Sequence, residues 1–164
     1  MKEPIFTPLG MRVSTTSIAD MEKSGDRSLA YALENKTSKV IPYRNIDAIG
    51  PAGSINSSAN DMANWLITWI NGGKFKGKEI IPQSFAAQAI TPQVNTGGGV
   101  PGRINPDIHF NAYGLGWGMV SYRGHYRVEH SGGIDGFITT TGFFPSDSIG
   151  IFVVSSQSEV STSI

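Results

Sequence analysis

Between Ser58 and Gly73 the apolar positions are Met62, Trp65, Leu66, Trp69 and Ile70, at spacings of 3, 1, 3 and 1. That period puts all five on one helical face. Ser58 stands where its hydroxyl can cap the N–H of Asp61, and Asp61 suits the positive end of the helix dipole. Asn71-Gly72-Gly73 then ends the helix through a left-handed C-cap. In Lys74-Phe75-Lys76-Gly77-Lys78 the lysines alternate, which predicts a small exposed hairpin with Phe75 turned inward. Those lysines read as a solvated face rather than an anion site. A second helix is predicted from Pro82, a residue favoured at the first helical position, to just before Thr91-Pro92.

From Ala112 onward the pattern changes to strands, predicted at Tyr113 to Tyr122, Tyr126 to Ser131, Gly136 to Phe144 and Ile149 to Ser155. They are separated by Arg123-Gly124, Gly132-Gly133 and Pro145-Ser146-Asp147, connections short enough to require antiparallel neighbours. Residues 12–50 are weakly periodic and read mostly as loop, with strand-like stretches such as Ser28 to Leu33. Residues 92–111 read as a Gly- and Pro-rich loop, and Ile5 to Met11 as the end of a helix. The expectation is one α+β domain, with a loop and helical part over 1–111 and an antiparallel meander over 112–164.

Composition narrows the function without naming it. The chain has 164 residues, 13 basic and 13 acidic side chains and no cysteine, with 39% hydrophobic and 16% charged residues. Zero net charge gives no field that would draw in nucleic acid or an anionic membrane. No apolar run approaches the roughly 20 residues of a membrane span, and Met1-Lys2-Glu3-Pro4 does not read as a signal peptide. Disulfides, thiolate zinc sites and cysteine nucleophiles are excluded; the compartment stays open.

Two motifs invite chemistry and do not carry it. Gly97 to Gly102 fits G-x-G-x-x-G, but a dinucleotide site needs a strand before it and a helix after it. Neither is predicted, Pro101 removes an N–H donor, and the stretch reads as a flexible loop without a cofactor. His125 and His130 are five apart in strand-like sequence, so they point to opposite faces, and no metal site is expected of them or of His109.

The stretch His130-Ser131-Gly132-Gly133-Ile134-Asp135-Gly136-Phe137 differs: a polar triplet closes one strand, and glycines then let another backbone approach. With the Phe143-Phe144-Pro145 turn behind it, this resembles the serine β-lactamase and penicillin-binding protein superfamily, in its class C β-lactamase, D-aminopeptidase and esterase branch. Pro8-Leu9-Gly10-Met11, Pro51 to Ser58 leading into Asp61 to Leu66, and Tyr113-Gly114-Leu115-Gly116-Trp117 resemble further family segments in the right order. The resemblance implies a three-layer sandwich of helices on an antiparallel sheet, here incomplete. It also implies serine acyl-transfer on a small-molecule or peptide substrate bound along the triplet strand as an added strand.

Mapped residue by residue, His130 supplies charge or a hydrogen bond near the nucleophile, Ser131 offers its hydroxyl, and Gly132 lets substrate lie close. The N–H of Gly133 becomes one of two oxyanion donors. Gly53, Ser54 and Gly136 are the further substrate-binding candidates; Gly53 stands where class C enzymes carry an aromatic residue, which widens the pocket. Histidine, unlike lysine, is charged for only part of the time near neutral pH, which favours an esterase or peptidase over a dedicated β-lactamase.

The family's Ser-x-x-Lys is missing: three residues before Lys23, Lys36, Lys39, Lys74, Lys76 and Lys78 stand Asp20, Leu33, Lys36, Asn71, Gly73 and Phe75. Tyr43-Arg44-Asn45 matches Tyr-x-Asn, but after Pro8 to Met11 instead of before it, and reads as coincidence. The expectation is a portion of a serine hydrolase that depends on a missing N-terminal part and is inactive alone. The alternative is a non-catalytic peptide- or cell-wall-binding module. A sheet without its first strands leaves an open edge, so self-association is expected.

Overall fold

The computed structural model describes residues 1–50, 52–98 and 100–158. Its order is helices and short hairpins first and a strand meander last, an α+β arrangement. Six strands form the main sheet: β5 (Val94–Gly97), β6 (Ile108–Tyr113), β7 (Gly118–Tyr122), β8 (His125–Ile134), β9 (Phe137–Phe144) and β10 (Ile149–Ser155). They lie in the order β10-β9-β8-β7-β6-β5, each beside its neighbour in sequence. The chain resolves into two compact units, one of Met1–Asn64, Ser131–Thr140 and Phe152–Ile164, the other of Trp65–His130 and Thr141–Ile151.

In the first unit a π-helical turn, Lys2–Phe6, runs into α1 (Thr7–Leu9) and stops at Gly10, whose φ of 66° makes it a left-handed cap. Phe6, Leu9 and Met11 are buried. The short helix α2 (Ile18–Glu22) is capped by Ser17. The hairpin β1 (Ala30–Glu34) and β2 (Thr37–Ile41) occupies a stretch expected to be mostly loop. Its turn is Asn35-Lys36, both with positive φ (49° and 64°), the mirror-type turn that suits strand twist. Lysine is not a usual residue there, so the turn gave no signal.

The second unit holds most of the large core side chains. The helix α3 (Ala59–Ile70), whose residues from Trp65 onward belong to this unit, starts after Ser58, whose hydroxyl accepts from Asp61 N at 3.2 Å, and ends at Gly72 and Gly73 with φ of 61° and 95°. Both ends agree with the sequence. The strands β3 (Lys74–Phe75) and β4 (Lys78–Glu79) form the lysine hairpin with Phe75 buried. In α4 (Gln83–Ala89), Pro82 is the cap residue rather than the first helical one, because its ψ of 129° is extended.

An aromatic cluster joins helix to sheet in this unit. The ring of Trp69 meets Trp65 at 5.6 Å, Trp117 at 5.2 Å and Phe143 at 6.3 Å, mostly edge to face. At Gly150 the helix comes close enough that a Cβ there would lie 3.1 Å from Ile70 Cδ1 and 3.2 Å from Leu66 Cβ.

Three strand expectations shift. The stretch Tyr113 to Tyr122 is two strands, because Gly114 to Trp117 turns the chain between β6 and β7. The Gly- and Pro-rich loop contains β5 and the start of β6, which carry few buried residues and so show no alternation. Gly132-Gly133 does not end its strand; β8 continues to Ile134, and the turn is Asp135-Gly136.

Candidate functional site

The triplet lies on β8 where that strand leaves its β7 partner. Arg123 (φ 51°) and Gly124 (φ 84°) turn the chain, and the register runs from Tyr122 opposite His125 to Gly118 opposite Glu129. Val128, inside the ladder, is fully buried. Past Glu129, the four residues His130, Ser131, Gly132 and Gly133 are all exposed although β8 is an inner strand of the sheet.

At Gly132 a Cβ would lie 3.3 Å from Thr139 Oγ1, whose hydroxyl donates to the Gly132 carbonyl at 3.4 Å. A Cβ at Gly133 would meet nothing nearer than 3.9 Å. Lack of side chains over two residues keeps this part of the strand open to the approach of another chain. Ser131 carries a hydroxyl and Gly133 a main-chain N–H on this exposed stretch.

The turn behind the triplet is held firmly within the first unit. Gly136 (φ 83°) is buried against β1, and a Cβ there would collide with Ala30. Tyr43 stacks on Phe137 with ring centroids 6.3 Å apart and 15° between planes, while its hydroxyl donates to the Ser28 carbonyl at 2.9 Å. Arg44 Nη1 pairs with Asp135 Oδ1 at 3.4 Å, and Asn45 Oδ1 accepts from Asp47 N at 3.0 Å. Every residue of the Tyr-x-Asn match therefore has a partner in the scaffold. Neither Arg44 nor Asp135 was singled out by the sequence; the pair spans 91 positions.

Gly53 and Ser54 sit in the turn that leads to α3. Pro51, at the start of that motif, lies outside the described residues, as does Gly99 of the glycine run. A Cβ on Gly53 would touch Ile49 Cδ1 at 3.3 Å. Ser54 is 3% exposed, and its Oγ has no hydrogen-bond partner among the described residues. Asn56 ties the turn to Thr15 by a two-way backbone bridge. Asp61, 6% exposed, accepts from Val13 N at 3.0 Å and from Ser14 Oγ at 2.8 Å. The structure thus gathers His130 to Gly133 on one strand, places Gly136 in the following turn, and places Gly53 and Ser54 in the turn before α3.

Within the second unit, His130 Nε2 stands 3.0 Å from the Tyr113 hydroxyl, with the rings edge to face at 6.0 Å. The motif containing Tyr113 marked a strand, but nothing in the sequence marked its hydroxyl. His125 pairs with Asp147 at 2.9 Å, and His109 lies beside Phe110. An open, largely apolar groove of about 400 Å³ runs along β5, β6 and β7, bordered by Val94, Phe110, Ala112, Met119 and Tyr126. A strand does precede Gly98, contrary to expectation, but β6 follows the glycine run where a dinucleotide site has its helix.

Comparison with known proteins places this geometry. The family model described as Beta-lactamase matches residues 1–162. The unguisins hydrolase ungD' of Aspergillus campestris is 28% identical over 153 residues, covering 88% of this chain and 26% of that protein. An octameric penicillin-binding protein homologue from Pyrococcus abyssi superposes with a TM-score of 0.77 at 24% identity, over 94% of this chain and 32% of that one. A D-stereospecific amidohydrolase from Streptomyces gives 0.70 at 20% identity, over 96% and 43%. At those identities the two structures show the fold, and the chain spans less than half the length of each relative.

Proposed function

We propose, from the premise that this chain belongs to the beta-lactamase family, that it supplies the substrate strand and an oxyanion donor to a serine hydrolase working through an acyl-enzyme. The observation that carries the reading is the exposed run His130 to Gly133 on β8, directly past the last register pair with β7. A peptide-like substrate laid along it would take main-chain hydrogen bonds as an added strand does. The N–H of Gly133 would then face the carbonyl oxygen as it gains charge, and the hydroxyl of Ser131 would hold the substrate. Gly132 gives the clearance, and His130 stands at the end where nucleophile and leaving group meet. A histidine in that place favours an ester or a peptide, D-amino-acid peptides included, over a β-lactam.

The nucleophile comes from outside these residues, since no Ser-x-x-Lys occurs among them. The test is labelling with a fluorophosphonate and a fluorescent penicillin. The 164 residues alone stay unlabelled. The polypeptide that carries a Ser-x-x-Lys and a Tyr-x-Asn ahead of Pro8 is labelled at that serine. A labelled serine within residues 1–164 would sink the reading. The same absence favours a second reading, a module that binds peptide or cell-wall fragments without turnover. Binding without labelling in the longer polypeptide selects it.

A further inference from the structure

We propose that Tyr113 is the positioning residue of His130, holding the imidazole in one orientation and one tautomer through its hydroxyl. The proposal rests on the reading of β8 as the substrate strand only for its importance, since the contact itself is independent of any activity. The distance from the hydroxyl to Nε2 is 3.0 Å, that of an ordinary hydrogen bond. Tyr113 reaches across a whole strand to make it, because β7 lies between β6 and β8. Two strand spacings are about 9.5 Å, close to what a tyrosine and a histidine span together. Gly118, the first residue of β7, is register partner of both Tyr113 and Glu129, so His130 stands one position past that row, and the glycine adds no side chain beside the contact.

The mount of Tyr113 is rigid for reasons visible in the surrounding motif. Its backbone pairs with Val94 on one side and Gly118 on the other, and its carbonyl accepts from Gln93 N at 3.0 Å. Gly114 is pressed so closely on the end of α4 that a Cβ there would stand 2.1 Å from the Ala89 carbonyl oxygen. Leu115 N donates to that same oxygen at 3.0 Å, and Gly114 N donates to Trp117 O at 2.8 Å. Trp117 then anchors the turn in the aromatic cluster. Tyr-Gly-Leu-Gly-Trp is thus a bracket whose first residue carries the functional hydroxyl.

A phenol suits this task because it both donates and accepts. Toward a neutral ring it donates O–H to Nε2, which leaves the ring proton on Nδ1. Toward a protonated ring it accepts N–H from Nε2. The orientation therefore survives gain or loss of a proton, which a backbone carbonyl or an ammonium group could not ensure.

Ring ¹⁵N spectra of the histidine-labelled chain test this directly. In the native chain, neutral His130 carries its proton on Nδ1. In Tyr113→Phe the ratio of the Nδ1–H to the Nε2–H form falls on the order of fivefold, the worth of one ordinary hydrogen bond. The His125 signals, set by Asp147, stay in place and show that the variant is folded. Should they move, 3-fluorotyrosine at 113 keeps the ring shape but makes a stronger donor, and it raises the Nδ1–H fraction. His130 signals identical in the native chain, Tyr113→Phe and the fluorinated form overturn the proposal. A failure of serine labelling leaves these spectra untouched, so the two readings fail separately.

Discussion

A Cβ built on Gly136 would stand 2.5 Å from the Cβ of Ala30 and 2.9 Å from the backbone atoms Ala30 Cα and Tyr31 N. The turn after the triplet is therefore pressed onto β1 at a point where only hydrogen fits. Gly136→Ala adds the strain of positive φ to a collision with backbone, together costing about 2–4 kcal/mol. Denaturant unfolding measures it, and Ala30→Gly in the same chain recovers the part due to the methyl–methyl clash. A midpoint unchanged by Gly136→Ala contradicts the packing.

Asp61 is a buried carboxylate with two donors from distant sequence, Val13 N and the Ser14 hydroxyl. Asp61→Ala strands the Val13 N–H and leaves the Ser14 hydroxyl only its Ser57 partner, at a cost of about 1–3 kcal/mol. Asp61→Asn keeps one acceptor oxygen and loses roughly half as much. Equal losses in the two variants would show that charge, not acceptance, is what matters there.

Tyr126 donates its hydroxyl to the Ile90 carbonyl at 2.6 Å, and burial pushes its ionisation above the ordinary value of 10.0. The folded chain therefore holds this proton more tightly than the unfolded chain. Its contribution is intact below pH 10.0 and is lost as pH rises through the higher folded value. Tyr126→Phe removes that loss. Unfolding midpoints on either side of pH 10.0 check it, the native chain falling more steeply than the variant. Parallel slopes would place the alkaline sensitivity elsewhere.

Tyr43 and Arg44 hold the same turn by different means, and they are not equal. The Arg44–Asp135 pair is exposed on both sides, so a double-mutant cycle gives a coupling of at most about 0.5 kcal/mol that fades with salt. Tyr43→Ala loses a ring stacked on Phe137 and a hydroxyl bonded to Ser28 O, and costs about 1–3 kcal/mol. A salt-insensitive coupling larger than the Tyr43 effect reverses this ranking.

The sheet ends in β5 on one side and β10 on the other, and Val94, Ile149 and Val154 are exposed on those strands. Such edges are templates for pairing. Gel filtration of the 164 residues shows species larger than a monomer, with binding of an apolar dye. A sharp monomer peak without dye binding argues against it.

What could be read from the sequence was whatever local chemistry fixes. Helix α3 is bounded by Ser58 and by Gly72-Gly73, so both ends were legible, and β10 runs from Ile149 to Ser155 as its apolar run predicts. The triplet was found through its neighbours in a family motif. Exposed strands such as β5 have no buried face to betray them, and Asn35-Lys36 turns a hairpin with a residue that seldom does so. Tyr113 and His130 are 17 residues apart with a whole strand between them, and His130 stands one position past the Tyr113–Gly118–Glu129 row, so neither periodicity nor strand pairing announces their contact. Arg44 and Asp135 depend on how a distant loop closes, which no periodicity encodes.

The indoles of Trp69 and Trp117 lie 5.2 Å apart at 74°. Transition dipoles at that separation couple, so the pair should give a split near-ultraviolet circular dichroism band rather than the sum of two independent chromophores. Trp117 closes the Tyr113 bracket, and its partner sits on α3. Trp65 couples to Trp69 within α3 as well, so the difference between the native spectrum and that of Trp117→Phe is the optical gauge of whether that bracket is docked, readable without a label, a ligand or turnover.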